Sequence, residues 1–557
     1  MHTPRFRTPH PRHRRAAALL AIGCTMSLLT GCATGDASPS SSTDATPVSG
    51  GTLTYAVGDE PICLDPHYRG NLPQGLIAGQ IFDSLVSLDD DGNVIPWLAD
   101  SWETSDDGLT LTMTLKQGVT FHDGTDFNAD AVVANVEHIK DPDTASSTAA
   151  LALARVDSVE ASDEYTAVFH LSEPDSWLLN SLAQSWLGIE SPTALAQGTD
   201  YTCENPVGTG AFQFVSWTKQ DNITLARNEN YTSAPADASH TGAAYLDTLV
   251  WRIIPDTATR YAALQSGAVD VIDAAQPENL VSAENTEGLA TLVGARPGAS
   301  IRLELNTTRA PFDDENVREA FIRSVDVDTS VASLFSGTVE RSYSALGSTT
   351  AYATSEQDEY SYDPDLANEL LDAAGWTERD EDGYRVKDGQ RLTVEFPVAN
   401  GQSIPAEQSL FEQIAAMAKE VGFDVQITLK DLNAWYTENV YTWDYDLVSN
   451  IYTKNSPDVL RLLYTSSGTI SSASGYHANA VGVQDPELDE LLETAATTSD
   501  AAEQEELYAQ AQEILAEGHY ILPLYDQQSK LVYSTSVHGL RLQPNLYFAT
   551  FYDAWIE

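Results

Sequence analysis

The stretch Gly118-Val119-Thr120-Phe121-His122-Asp123-Gly124-Thr125-Asp126-Phe127-Asn128-Ala129-Asp130-Ala131-Val132 has the residue pattern of a strand end, a tight turn and the beginning of a helix. Asp123-Gly124 is a dipeptide typical of turns, and Asn128 is of a type that commonly caps helices. The stretch therefore predicts a strand that ends before Asp123 and a helix that begins after Asn128. His122 stands next to the turn, and we expect it to be structural rather than a ligand-binding residue.

The chain on either side of this stretch shows further strand and helix patterns. Residues 109–115 alternate apolar and polar side chains, which predicts a strand with one buried face. Asp363-Pro364 and Asp485-Pro486 are typical helix starts, and a third helix is predicted over 501–517. The apolar faces of these helices are assigned to the core: Leu366, Leu370, Leu371 and Ala374; Leu488, Leu491, Leu492 and Ala495; Leu507, Ala511, Ile514 and Leu515. Interspersed strands and helices without an internal repeat predict an α/β or α+β protein.

The composition is strongly acidic. The 557 residues include 29 lysines and arginines against 82 acidic residues, which gives a formal net charge of -53. Such a surface repels nucleic acid and anionic lipid, so neither is expected as a partner of the folded part. Acidic runs such as 89–91 are interpreted as solvated faces.

Motifs of catalysis and cofactor binding are missing from the sequence. It contains no Gly-x-Ser-x-Gly, no His-Glu-x-x-His, no Cys-x-x-Cys and no phosphate-binding loop. Gly208-Thr209-Gly210 is interpreted as a tight turn before a strand over 212–217, not as a dinucleotide site. We therefore predict a protein that is not an enzyme and that has no cofactor and no metal site. A secreted hydrolase is the remote alternative.

The first residues have the pattern of a lipoprotein signal. Five arginines within residues 1–15 precede an uncharged apolar run over 16–30, and Leu29-Thr30-Gly31-Cys32 follows the order expected at a lipid-attachment cysteine. The run is shorter than the roughly 20 residues that cross a bilayer. We predict a signal peptide over 1–31, lipid attachment at Cys32 and a flexible tether over 32–51, where small and polar residues dominate.

Two cysteines remain in the folded part, Cys63 and Cys203. In an exported protein a disulfide between them is favoured, and two separate buried thiols are the alternative.

The stretch 118–132 closely resembles the signature of family 5 extracellular solute-binding proteins, the peptide, nickel and oligosaccharide class that serves ATP-binding-cassette (ABC) importers. Further segments resemble the family's blocks in the family's order: 62–66 (Ile-Cys-Leu-Asp-Pro), 96–103, 205–212, 305–307 with 311–312, 317–321 and 521–525. The resemblance covers nearly the whole mature chain.

The resemblance implies an α/β, two-lobed fold like that of type II periplasmic binding proteins (cluster C-like), with an extra subdomain inserted in lobe one. By this comparison lobe one consists of 52–96, 206–298 and 499–557, the inserted subdomain of 97–205, and lobe two of 299–498. Cys63 and Cys203 then both lie near the junction between lobe one and its insert, which favours their pairing.

The resemblance also suggests ligand-binding residues. Peptide-binding relatives carry an aspartate that pairs with the peptide's amino terminus, and here the corresponding segment 452–458 has Asn455 in its place, with Asp458 as a substitute. A neutral amide does not make the same charge-assisted bond. The other candidates are aromatic residues of one crowded region and polar residues of glycine-flanked loops: Trp435, Trp443 and Tyr452; Arg69, Asn71, Gln74, Tyr476 and His477.

The function implied is that of a lipid-anchored substrate-binding component of an ABC importer, which captures a peptide or peptide-like solute by lobe closure and delivers it to the membrane permease. An oligosaccharide, a metal chelate or an opine-like compound are the alternative solutes. The expected partners are the small organic solute, the permease subunits and, through the N-terminal lipid, the outer face of the cytoplasmic membrane. The protein is expected to be a monomer.

Overall fold

The computed structural model describes residues 46–400, 402–472 and 474–557. The predicted signal peptide, Cys32 and the part of the predicted tether before Thr46 lie outside the described residues. Residues 46–51 form neither helix nor strand, and residues 47–557 make up one compact unit.

The α-helices of the described residues are Leu72–Ile81 (α1), Ala129–Lys140 (α2), Thr148–Ala152 (α3), Leu178–Leu182 (α4), Pro192–Leu195 (α5), Thr199–Thr202 (α6), Thr257–Gln265 (α7), Pro277–Glu284 (α8), Glu315–Arg323 (α9), Val327–Phe335 (α10), Pro364–Ala373 (α11), Pro405–Val421 (α12), Leu432–Ala434 (α13), Val459–Tyr464 (α14), Pro486–Thr497 (α15) and Ala501–Glu517 (α16). A π-helical turn, Trp435–Asn439, follows α13 directly, and short 3-10 turns lie at Pro142–Thr144, Ser185–Leu187, Val440–Thr442 and Ser466–Thr469.

The strands are Thr52–Val57 (β1), Val86–Leu88 (β2), Val94–Pro96 (β3), Ala99–Thr104 (β4), Thr110–Leu115 (β5), Val156–Asp163 (β6), Thr166–Leu171 (β7), Phe212–Thr218 (β8), Asn222–Arg227 (β9), Thr248–Ile253 (β10), Val271–Ile272 (β11), Leu289–Ala295 (β12), Gly298–Leu305 (β13), Glu378–Arg379 (β14), Arg385–Lys387 (β15), Gln390–Arg391 (β16), Thr393–Ala399 (β17), Asp424–Lys430 (β18), Leu447–Thr453 (β19), Ile521–Tyr525 (β20), Gln528–Ser534 (β21), Val537–His538 (β22), Arg541–Gln543 (β23), Phe548–Thr550 (β24) and Trp555–Ile556 (β25).

The largest sheet has seven strands in the order β12-β21-β11-β1-β10-β9-β8. Strand β1 runs parallel to both β10 and β11, whereas β21 runs antiparallel to β11 and β12. The sheet therefore draws on three separated parts of the chain, 52–57, 212–295 and 528–534. Its core contains the fully buried rings of Tyr55 and Trp251, whose centroids lie 4.6 Å apart.

Two further sheets organise the rest of the chain. The antiparallel sheet β4-β5-β7-β6 packs its buried face on α2 around Phe127 and Phe169. The antiparallel sheet β19-β13-β20 has β13 at its centre, and every residue of β13 is buried. Strands β17 and β18 form a parallel pair. β17 packs with α9 and α12 in the same core as β13.

The turn and the helix of the opening stretch are confirmed, but the strand predicted before Asp123 is not formed: Thr120 pairs only with Asp126, in an isolated antiparallel β-bridge. Phe121 accepts a backbone hydrogen bond from Gly124 in the turn, where Gly124 has a φ of +84°. Helix α2 begins directly after Asn128, whose side chain caps it by accepting a hydrogen bond from the backbone of Ala131 at 3.1 Å. The predicted strand over 109–115 is confirmed as β5, and the three predicted helices are confirmed as α11, α15 and α16. On α11, however, Leu366 and Leu370 are only half-buried, and Ala367 and Leu371 form its buried face.

Cys63 and Cys203 form a disulfide that closes a sequence separation of 140 residues. Next to it the backbone of Leu64 donates a hydrogen bond to the carbonyl oxygen of Cys203 at 3.0 Å. Within residues 46–400, 402–472 and 474–557, none of the helices combines the length and the apolar character that a bilayer-crossing segment requires.

Candidate ligand-binding site

Two neighbouring cavities lie where the loop before α1 approaches β19 and the segment between β17 and α12. The first has a volume of about 80 Å³ and the second of about 440 Å³. Leu72, Gln402 and Ile451 belong to the walls of both. The two cavities therefore form one candidate site with two compartments, which we call the arginine cavity and the charged cavity after the side chains described below.

The arginine cavity owes its shape to the turn that precedes α1. Arg69 and Gly70 both have positive φ angles, 58° and 97°. The carbonyl oxygen of Arg69 accepts hydrogen bonds from the backbone of Ser147 and Thr148 at 3.0 and 3.1 Å. A side chain at Gly70 would collide with Thr148, so only glycine permits this close approach. The turn is thus fixed against the start of α3, and Asn71 then caps α1.

Among the described residues, Arg69 is the only one with a charged side chain that lines the arginine cavity. Its guanidinium lies 5.3 Å from the ring centroid of Tyr68 and 5.9 Å from that of Tyr441. Its Nε is buried and has no hydrogen-bond partner, and no carboxylate of the described residues forms an ion pair with it. A buried guanidinium edge without an acceptor favours an anionic ligand group at this place.

Four tyrosines line the arginine cavity together with Arg69, namely Tyr436, Tyr441, Tyr452 and Tyr476. Burial raises the pKa of Tyr452 to about 12, and it also raises the pKa of the other three phenols. All four hydroxyls are therefore protonated at neutral pH and can donate hydrogen bonds. Asn450, Gln402, Ser147 and Thr148 add further polar side chains, and none of them is charged.

The charged cavity contains side chains of both signs. Arg260, Arg296 and Lys530 line it together with Asp59, Asp256, Asp273 and Glu407. Arg260 is held by the protein itself, because its guanidinium donates to the carbonyl oxygens of Ile254 and Asp273 at 2.6 and 3.1 Å. Burial lowers the pKa of Arg296 and of Lys530 and raises the pKa of Asp273 and of Glu407.

The structure brings four of the predicted ligand-binding residues together: Arg69, Asn71, Tyr452 and Tyr476 line the arginine cavity. Gln74 lies nearby but is fully buried, and its side chain caps α1 together with Asn71. Trp435 packs in a small aromatic core and donates to the carbonyl oxygen of Pro397 at 3.2 Å. The rings of Trp443 and His477 contact each other, 4.6 Å between centroids, and neither lines the two cavities.

Asn455 and Asp458 lie outside both cavity walls and bind other protein groups. Asn455 donates to the carbonyl oxygen of Asn180 at 2.7 Å and accepts from Gln184 at 3.3 Å. Both carboxylate oxygens of Asp458 accept from Arg461, at 2.7 and 3.0 Å. Although burial opposes it, the charges of Arg461 and Lys454 hold the pKa of Asp458 below its usual value. Asp458 is therefore already neutralised by the protein.

The structure also reveals cavity residues that the sequence analysis did not single out. In the charged cavity, Asp59, Asp273 and Arg296 each stand just beyond the end of a strand of the largest sheet. Their sequence positions could have predicted these cavity residues, because charged residues directly after buried strands lie at the carboxyl ends of parallel strands, where ligands commonly bind. Gln402, Trp186 and Thr148 have no such signal in the sequence, because they come from three unrelated segments of the chain.

A group of potential metal-binding side chains lies beside the disulfide. One ligand atom each of Asp65, His67 and His138 lies within 4.8 Å of the other two. The carboxylate of Asp65 already accepts from His138 at 2.9 Å and from Thr202 at 2.7 Å, and the Nε2 of His67 lies 3.0 Å from the carbonyl oxygen of Gly188. These hydrogen bonds tie α2 to the loop that contains the disulfide.

Comparison with known proteins identifies the family. The sequence model of the bacterial extracellular solute-binding proteins, family 5 (middle region), matches residues 93–473, more than half of the chain. The chain belongs to this family. Family 5 proteins are the solute-binding components of ABC importers.

Two relatives of this family 5 protein align with it along almost the whole chain. The glutathione-binding protein GsiB of Pectobacterium atrosepticum is 30% identical over 504 residues, which are 90% of this chain and 93% of GsiB. Among solved structures, the periplasmic binding protein DppA of Helicobacter pylori, in complex with the peptide STSA, superimposes with a TM-score of 0.80 at 25% identity, covering 92% of this chain and 99% of DppA.

A third relative shows the shared fold alone. NikA of Brucella suis, in complex with Fe(III)-EDTA, has a TM-score of 0.76 at 24% identity and covers 91% of this chain and 100% of NikA. The predicted fold class, that of type II periplasmic binding proteins, is confirmed by these structures.

Proposed function

We propose that this family 5 protein is a lipid-anchored solute-binding component of an ABC importer and that its solute is a peptide or peptide-like compound. The observation that carries the proposal is Arg69, a partly buried guanidinium that lines the arginine cavity without an ion-pair partner among the described residues. A peptide ends in a carboxylate, which a guanidinium can bind through two parallel charge-assisted hydrogen bonds. That relatives bind glutathione and the peptide STSA supports this class of solute.

The four tyrosines of the arginine cavity can bind the remaining atoms of a peptide-like solute. Protonated phenols donate hydrogen bonds to peptide carbonyl groups, and their rings cover the apolar atoms between those groups. Asn450 and Gln402 offer both donors and acceptors, as the peptide backbone requires.

The solute would be captured when two lobes close on it. Lobe one would consist of 52–96, 206–298 and 499–557 with its insert at 97–205, and lobe two of 299–498. Contacts between the insert and lobe two support this proposal. Lys454 donates to Ser181 at 3.0 Å, Asn455 donates to Asn180, and Arg155 pairs with Glu493. Opening would break these contacts, and a solute bound to both sides would favour their formation.

The test is the identification of the solute, followed by binding measurements. Mass spectrometry of the small molecules released from natively purified protein should detect peptides or peptide derivatives. In calorimetric titrations with the peptide so identified, Arg69→Ala should weaken binding by roughly tenfold or more, since a charge-assisted bond is lost. The matched control is Arg252→Ala, because Arg252 is exposed on β10 and pairs with Asp221. Recovery of glycans alone, or unchanged binding by Arg69→Ala, would overturn the proposal.

A further inference from the structure

We propose that Asp65, His67 and His138 form a binding site for a divalent transition-metal ion, with zinc as the best match. One ligand atom of each of the three side chains lies within 4.8 Å of the other two. None of the three residues lines the arginine cavity or the charged cavity, so the ion would not belong to the solute site. The inference therefore does not depend on the proposed function.

A nitrogen of His67 without a hydrogen-bond partner is the first argument. The Nε2 of His67 lies 3.0 Å from the carbonyl oxygen of Gly188, and because a carbonyl oxygen only accepts, Nε2 carries the proton of the neutral ring. The Nδ1 then has a lone pair, and it is buried without a hydrogen-bond partner among the described residues. The Oδ1 of Asp65, which lies 3.7 Å from this Nδ1, is also an acceptor. A cation between the two acceptors would satisfy both, whereas a buried polar atom without a partner is destabilising.

The carboxylate of Asp65 lies between the two histidines. Its Oδ2 is 2.9 Å from the Nε2 of His138, and the centroids of the two imidazole rings are 5.6 Å apart. Two imidazoles with one carboxylate are an established ligand set for zinc and other divalent transition metals. At zinc bond lengths of about 2 Å, tetrahedral ligand atoms are roughly 3.4 Å apart, so side-chain shifts of about 1 Å would complete the site.

The remaining polar atoms of the three side chains have the partners that metal ligands commonly have. The second nitrogen of each ring is hydrogen-bonded to an oxygen atom, the Nε2 of His67 to the carbonyl described above and the Nδ1 of His138 to the hydroxyl of Thr144 at 3.2 Å. Asp65 accepts from the hydroxyl of Thr202 at 2.7 Å. Such contacts orient ligating imidazoles and carboxylates. A metal ion would replace only the hydrogen bond between Asp65 and His138.

The charges around the site also favour a cation. Asp65 and Glu190 are both buried, and neither forms an ion pair with a lysine or arginine of the described residues. The Oε2 of Glu190 has no hydrogen-bond partner within that part of the chain. Burial and then repulsion by Asp65 raise the pKa of Glu190. A divalent ion beside Asp65 would relieve this repulsion, and His138, whose side chain is 10% exposed, gives the ion access from the surface.

The ion would join two separate parts of the fold. Asp65 and His67 belong to the loop that begins at the disulfide and leads to Arg69, whereas His138 lies in the last turn of α2. The sequence alone predicts no metal site, because the two histidines lie far apart along the chain and come together only in the fold.

The experiment uses zinc itself as the probe. The mature protein is dialysed against EDTA and titrated with zinc chloride by calorimetry, and its thermal unfolding is followed at each zinc concentration. We expect one zinc ion per chain and a melting temperature that rises with zinc, since an ion that binds only the folded protein stabilises it. Cobalt(II) in place of zinc should give the visible absorption of a four-coordinate site with nitrogen ligands. The absence of zinc binding, or binding that leaves the melting temperature unchanged, would overturn the inference.

A pair of histidine variants locates the ion. His138→Gln removes one ligand and should weaken zinc binding by roughly a hundredfold or more, since loss of even an outer partner of a ligand commonly reduces affinity about 10–100-fold. His240→Gln is the matched control: the side chain of His240 is 14% exposed and lies 2.9 Å from Asp553, whose other oxygen is paired with Arg541. Equal zinc affinity of the two variants would place the ion in the solute site or on the acidic surface and overturn the inference. If His138→Gln does not fold, the cobalt spectrum of the unmodified protein still decides, because a spectrum without nitrogen ligands refutes the site.

Discussion

The Nε2 of His122 lies 2.9 Å from the carbonyl oxygen of Gly210, and the backbone N–H of His122 donates to the carbonyl oxygen of Gly208 at 2.9 Å. Because a carbonyl oxygen only accepts, Nε2 carries the proton of a neutral imidazole. Burial lowers the pKa of His122 to about 4. The histidine of the opening stretch therefore holds the glycine turn of a second motif, far along the chain, in place.

We expect His122→Gln to flatten the pH dependence of stability. The unfolded chain takes up a proton on this histidine as the pH falls below about 6.5, whereas the folded protein does so only near pH 4. Stability is therefore lost as the pH falls through this window, by about 3 kcal/mol at pH 4 for this group. Urea unfolding from pH 7 to pH 4 measures the difference, with His170→Gln, at an exposed histidine of β7, as the matched control. Parallel profiles of the variant and the unmodified protein would contradict the prediction.

Gly208→Ala should destabilise the fold by roughly 1–3 kcal/mol, as overpacking commonly does. A methyl group at this position would overlap the carbonyl oxygen and carbon of Ile81, which are backbone atoms and cannot rotate away. Gly79→Ala is the control, because its methyl group would meet only Ser185 Cβ at 3.9 Å and alanine favours the helix. Thermal unfolding of both variants measures the effect, and a Gly208→Ala protein as stable as Gly79→Ala would show that the turn has more room than the structure indicates.

The contact between His122 and the Gly208–Gly210 turn illustrates which features can be predicted from the sequence and which cannot. The turn at Asp123-Gly124, the cap at Asn128 and the helices at Pro364 and Pro486 follow from local preferences that need no tertiary contact. That His122 binds the Gly208–Gly210 turn follows only from the fold, because the partners are distant in sequence. The same holds for the site: a glycine-flanked loop indicates Arg69 and an aromatic-rich region indicates Tyr452, but the pairing of Asp458 with Arg461 depends on the fold.

Loss of the disulfide should lower the free energy of unfolding by up to about 5 kcal/mol, since the bond closes a loop of 140 residues. Cys63→Ser with Cys203→Ser removes it, and either single variant should lose nearly as much. Urea unfolding measures the effect, and the reduced unmodified protein is the control. Equal stability of oxidised and reduced protein would contradict the expected contribution.

Asp458→Asn should reduce stability rather than solute affinity. It would leave Arg461 and Lys454 buried without a carboxylate at hydrogen-bond distance, which commonly costs about 3–5 kcal/mol. The melting temperature should fall, while binding at a temperature where the variant is folded should be unchanged. Asp221→Asn, whose partner Arg252 is exposed, is the control. If the variant has normal stability but binds its solute weakly, Asp458 contributes to ligand binding and the prediction is wrong.

Cys32→Ala should release the protein into the soluble fraction, because the predicted lipid would be attached through this thiol. Cell fractionation measures the distribution. Cys24→Ala is the matched control, since Cys24 lies within the predicted signal peptide and its loss should leave the protein with the membrane. Membrane retention of Cys32→Ala would refute lipid attachment at this cysteine.

Leu72, Gln402 and Ile451 separate the arginine cavity from the charged cavity and line both. A solute that occupies both cavities would contact these three side chains between its two ends. The separation of the two cavities would then limit how many backbone atoms lie between the ends of such a solute. Binding across both cavities would make the affinity depend on the length of the solute as well as on its charges.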